Sequence, residues 1–251
     1  MDADKSAPGA LPSSLTGSPL TALVMTGSGT PTTQPAGDGY VIATVDGVKG
    51  TIKSKGYAGD GAKISKTIVT GVSQNGDWPF YASLYQDLGD KTHYHGAIIG
   101  WLVVNNSVVT GDLFWTKKST APGPAPYAAG FTNMHSSGSS TLLSSGVTNG
   151  VSGSNLPGLP SLSTVNIQDG NLAGMIVTNC TYTLGKVSVL SNKFNGIKVT
   201  IKTSAEVNGS IDKLVPPTKF YGVALQKAGN THGVFIGVAP STQSGSVRLL
   251  P

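Results

Sequence analysis

The chain has 251 residues, 34 of them glycine and 15 proline, with 38% hydrophobic and only 12% charged residues and a formal net charge of +5. That apolar content excludes a disordered polar chain, the glycine and proline content argues against a helical protein, and the length suits one large all-β domain or two smaller ones. The positive charge does not point to nucleic acid, because Arg248 is the only arginine and the lysines are scattered rather than striped.

Residues 1–36 are rich in Pro, Ser, Thr and Gly and read as a flexible N-terminal arm with one strand around 20–26. No basic-then-apolar signal pattern opens the chain, and no stretch approaches the roughly twenty apolar residues of a membrane span. The composition suits an exported protein, at the cell surface or extracellular, whose signal lies outside this stretch, or a module of a longer one.

A first β-unit is expected over 37–116, with strands at 40–45, 50–55, 62–70, 78–85, 96–104 and 110–115 and Asp-Gly, Asn-Gly and Gly-Asp pairs as turns. Residues 117–170 carry Ala-Pro-Gly-Pro-Ala-Pro and Ser/Gly clusters. Prolines at that density cannot supply ladder donors, so this segment is expected to connect units over the surface. A second β-unit, 171–251, continues with strands at 187–190, 197–203, 207–212, 219–226, 233–238 and 245–250. No window sustains helical spacing, while alternation recurs throughout.

The two units share ordered blocks. Ile42, Thr44, Val48, Gly50 and Ile52, then Phe80-Tyr81, His95-Gly96, Ile99-Gly100 and Gly111, match Ile201, Thr203, Val207, Gly209 and Ile211, then Phe220-Tyr221, His232-Gly233, Ile236-Gly237 and Gly245. The offset shrinks along the chain, as it would if the second copy had lost loop residues. The expected fold is therefore all-β: two homologous antiparallel meanders forming small barrels or a pseudo-symmetric barrel pair.

The run Gly76-Asp77-Trp78-Pro79-Phe80-Tyr81, with Gly100-Trp101-Leu102, Ala129-Gly130-Phe131-Thr132-Asn133 and Phe220-Tyr221-Gly222, resembles an uncharacterised β-rich repeat domain of large exported and surface proteins of Verrucomicrobia. The resemblance implies a β-fold and an exported setting and brings no catalytic residues with it. Phe220-Tyr221-Gly222 and His232-Gly233-Val234-Phe235 also resemble the lipocalin-like barrels of transferrin-binding surface lipoproteins, without their lipid-bearing cysteine.

His93-Tyr94-His95 is the sharpest chemical candidate, since residues two apart on a strand face one way and present two imidazoles to a metal. His232 matches His95 in the repeat, and Asp87 and Asp90 lie nearby in sequence. These residues define one expectation, a metal-dependent hydrolase of small esters or lactones, homoserine lactones included, holding zinc or calcium. Otherwise no cofactor is expected, because neither Asp87-Leu88-Gly89-Asp90 nor Gly59-Asp60-Gly61 has the spacing of a calcium loop and no Gly-x-Ser-x-Gly elbow is present.

Cys180 reads as a small buried thiol, and Glu206 is the only glutamate. The leading expectation is a non-catalytic structural or ligand-binding module for a glycan or a small apolar molecule. Trp101 and Trp115 are expected in the core, which leaves Tyr85 and Tyr94, flanking a loop, as the ligand-facing aromatics.

Overall fold

The computed structural model describes residues 19–25, 33–105, 108–119, 121, 127–135, 162–183, 186–190, 196–202, 204–212, 214, 217–225, 230–237 and 243–251. Sixteen strands are ordered along it: β1 (Pro19–Met25), β2 (Gly39–Asp46), β3 (Thr51–Tyr57), β4 (Lys63–Gly71), β5 (Asp77–Gln86), β6 (Tyr94–Asn105), β7 (Val108–Lys117), β8 (Phe131–His135), β9 (Leu162–Asp169), β10 (Ile176–Thr183), β11 (Lys186–Val189), β12 (Ile197–Ile201), β13 (Glu206–Ile211), β14 (Thr218–Leu225), β15 (Asn230–Ile236) and β16 (Ser244–Leu250). No helix occurs among the described residues, so none is long and apolar enough to cross a membrane. The protein is all-β and antiparallel.

Strands β9 to β16 close an eight-stranded barrel, β9 pairing with both β10 and β16. Alternation explains its filling: Ile197, Val199 and Ile201 on β12 are buried while Lys198 and Thr200 point out. Eight strands leave an interior just wide enough for side chains. Here Val165, Val199, Val207, Phe220, Val247 and Leu249 point inward and line a cavity of about 10 Å³.

The first half forms two four-stranded sheets, β1-β2-β3-β4 and β5-β6-β7-β8, which share one core around Trp78, Phe80, Ile98, Leu113 and Trp115. Strand β2 is buried on both faces along most of its length. Its Val41 and Ala43 enter the core between the two sheets, whereas Tyr40 and Ile42, with Leu23 of β1, pack on the barrel. A strand covered on both sides reads as a continuous apolar run, as Tyr40-Val41-Ile42-Ala43 does.

Several boundaries differ from expectation. The barrel opens at Leu162, ahead of the expected 171, and β8 lies in the segment expected to be a plain connector. Short β-branched or aromatic runs form strands there despite their Pro- and Gly-rich flanks. The matched blocks lie on β2–β3 and β5–β7 in the first half and on β12–β13 and β14–β16 in the second, but β4 intervenes only in the first. Their registers differ too: Phe80 faces Gly100, while Phe220 faces Phe235.

Candidate functional site

The β5–β6 hairpin holds most of the metal-type candidates. His93 Nδ1 lies 2.6 Å from Asp90 Oδ2, and His95 Nε2 lies 3.0 Å from Asp87 Oδ1. The Asp90 carboxyl is held below its usual range by the Thr92 hydroxyl and then by His93, and Asp90 in turn raises the His93 imidazole. His232, the third expected histidine, bonds to Asp38 instead, with Nδ1 2.9 Å from Oδ2. Each of the three imidazoles thus has its own aspartate. No group of three His, Cys, Asp or Glu able to hold an ion occurs among the described residues.

Two buried charged clusters were not legible in the sequence. In the first, the fully buried Asp38 accepts a forked pair of bonds from the chain's only arginine, Arg248 Nε to Oδ2 at 2.7 Å and Nη2 to Oδ1 at 2.9 Å. Burial alone pushes this carboxyl up, but the Arg248 and His232 bonds and charges together outweigh it and hold Asp38 below 3.8. The cluster ties the segment before β2 to β15 and β16 of the barrel. Beside it Tyr127 donates or accepts across 3.1 Å with Ser244 Oγ, which also accepts from the Ala36 and Gly37 N–H groups.

The second cluster joins the two sheets of the first half. Asp60, in the β3–β4 loop, accepts the Tyr85 hydroxyl at 2.7 Å on Oδ2 and the Ala62 N–H at 3.0 Å on Oδ1. Lys117, at the end of β7, brings Nζ to 4.0 Å from Asp60 Oδ2 and 4.8 Å from the Tyr85 ring centroid. Both charged side chains are 1% exposed. Burial pushes the Asp60 carboxyl and the Tyr85 phenol up and the Lys117 amine down.

Tyr85 is therefore not the open, ligand-facing ring expected. Alternation along β5, with Trp78, Phe80, Ala82 and Leu84 inward, assigns it outward. Yet its φ of 58° stands in the left-handed region and interrupts the ladder between the pairs Leu84↔Gly96 and Gln86↔Tyr94. The ring crosses Gly96, where a Cβ would sit 2.7 Å from it. Tyr94 is half-buried, its hydroxyl accepting from Gln86 Nε2 at 3.1 Å.

The open aromatic surface lies elsewhere. Register places Tyr81, Ile99 and Phe114 side by side across β5, β6 and β7, with Pro79, Trp101 and Asp112 in the next row. Tyr81 is 51% exposed, Ile99 49%, Trp101 63% and Phe114 38%. Trp101 is thus outside the core, contrary to expectation, whereas Trp115 is buried as expected. The neighbouring row is Ser83, Ala97 and Thr116, so hydroxyls border the rings.

A separate cleft of about 170 Å³ lies between β2–β4 and the barrel, lined by Tyr40, Lys55, Tyr57, Lys63 and Glu206 among others. Tyr57 stacks on Tyr221 with ring centroids 4.4 Å apart. Glu206 is already paired with Lys202 at 3.1 Å.

No protein-family description matches this chain, and no curated protein does. Among solved structures, a Nostoc punctiforme protein of unknown function from the DUF3598 family aligns over 93% of this chain and 92% of its own. The identity is 10% and the TM-score 0.23, too low for the likeness to carry any argument.

Proposed function

We propose that this chain is a non-catalytic glycan-binding β-module of an exported protein, taking its ligand on the outer face of β5–β7. The observation that supports this is the contiguous exposed row Tyr81, Ile99 and Phe114, with Trp101 diagonal to it. Folded proteins leave apolar side chains exposed singly, and a contiguous aromatic face marks a binding surface. Strands spaced about 4.8 Å apart put Tyr81 and Phe114 roughly 10 Å from each other, the span of two sugar rings. The apolar C–H faces of a pyranose fit over flat rings, while Asp112, Ser83 and Thr116 supply hydrogen bonds to its hydroxyl rim.

A glycan array followed by titration of the best hit tests this reading. Trp78 and Trp115 are fully buried, so a ligand on this face shifts the emission of Trp101 alone. Binding that Trp101→Ala and Tyr81→Ala abolish is expected. No array hit, or a hit unaffected by either substitution, refutes the site. We read the matched strand blocks as a duplication, which accounts for their shared order in the two halves without requiring two sites. The hydrolase reading draws no support from the geometry, since His93, His95 and His232 bond to three separate aspartates.

A further inference from the structure

We propose that Lys117 and Asp60 are the site of an autocatalytic intramolecular amide bond that covalently joins β7 to the β3–β4 loop. The inference is independent of the glycan reading. It rests on the arrangement of four groups: an amine and a carboxyl 4.0 Å apart and both sealed from water, with a separate donor on each carboxyl oxygen. Forming a side-chain amide needs a neutral amine, a protonated carboxyl, a polarising donor and no bulk water to reverse the step. Burial disfavours the charged form of both partners, lowering the Lys117 amine and raising the Asp60 carboxyl.

The step balances without a co-reactant. The Lys117 Nζ lone pair attacks Asp60 Cγ, and the displaced π pair moves onto Oδ1, where the Ala62 N–H receives it as an oxyanion donor would. Collapse restores the carbonyl at Oδ1 and breaks Cγ–Oδ2. A proton from Nζ reaches Oδ2 through the Tyr85 hydroxyl, which already contacts that oxygen, and Oδ2 leaves as water. An ammonium and a carboxylate together contain the atoms of one amide and one water.

The surroundings are built for this contact rather than for an ordinary surface ion pair. Tyr85 reaches Asp60 only because its backbone adopts φ 58° and because Gly96 leaves room for the ring. A left-handed tyrosine inside a strand costs free energy and persists where the surrounding structure over-determines it. The bond would strap the β1–β4 sheet covalently to the β5–β8 sheet, with which it shares an apolar core, the Tyr85–Asp60 bond and a hydrogen bond from Trp78 Nε1 to Thr70 Oγ1 at 2.9 Å.

Intact-mass spectrometry of the purified full chain is the test, with the folded wild type expected about 18 Da below its sequence mass. Peptide mapping should yield a branched peptide joining the Asp60 and Lys117 segments, with Lys117 resistant to trypsin. Lys117→Met should restore the sequence mass, and Tyr85→Phe should slow the appearance of the lighter species. A folded wild type that keeps its full mass through prolonged incubation at neutral pH overturns the proposal. So does an 18-Da loss that survives in Lys117→Met, since Asp60-Gly61 can lose water to form a succinimide. If Lys117→Met does not fold, the wild-type peptide map decides: a branched peptide supports the amide, and a linear dehydrated one refutes it.

Discussion

Replacing Arg248 by Met should destabilise the protein through one identifiable carboxylate. Asp38 has no exposed side-chain surface and accepts two bonds from Arg248 and one from His232. Removing one partner of a buried ion pair costs about 3–5 kcal/mol, because a desolvated charge is stranded. His232 still holds Oδ2 and Arg248 is about a quarter exposed, so the lower end, ~3 kcal/mol, is expected. At roughly 2–4 °C per kcal/mol for a chain of this size, Tm should fall by about 6–12 °C. Urea melts of the wild type, Asp38→Asn, Arg248→Met and the double variant measure the coupling, expected at about 2 kcal/mol. Because Asp38 is held below 3.8 in the folded state, its stabilisation is present above that value and is lost as pH falls through the folded pKa. Asp38→Asn should therefore flatten the acid limb of the stability profile. An Arg248→Met variant within about 0.5 kcal/mol of wild type, or strictly additive single and double variants, refutes the account.

Trp101→Ala should abolish glycan binding while shifting stability by no more than about 0.5 kcal/mol, as measured by paired titration and thermal melts, because the ring lies outside the core. Cys180 is buried, its thiol donates to the Ser163 carbonyl at 3.3 Å, and burial pushes it up to about 11, so a thiol reagent at neutral pH should label it only in denaturant. Gly209→Ala should cost about 1–3 kcal/mol in a urea melt, because a Cβ there collides with the Phe220 ring and the Lys198 carbonyl.

Alternation read the β-class and most strands correctly because it registers burial on one face of a pleated chain, and β12 or β5 shows that signal cleanly. It fails where both faces are apolar. In β6, Ala97-Ile98-Ile99-Gly100-Trp101-Leu102-Val103 gives no contrast, so nothing local says that Ile98 and Leu102 are core while Ile99 and Trp101 face out. It also fails at Tyr85, where a positive φ redirects a ring that the period assigns to solvent. The nearby Gly96 was the available signal, since a glycine within a strand marks a place where another group approaches closely.

The charged clusters share a further reason for being hidden. Asp38 and Asp60 both lie outside strands, one before β2 and the other in the β3–β4 loop, and their cations come from strands much later in the chain. Periodicity reports only which way a residue points along its own strand and carries nothing about a loop carboxylate or a partner 210 residues away. Composition does carry a trace of one of them. In a chain whose cations are otherwise lysine, a lone arginine marks a position where the planar fork is used, and Arg248 gives Asp38 two N–H bonds, one on each oxygen, from a rigid fork that an ammonium does not provide.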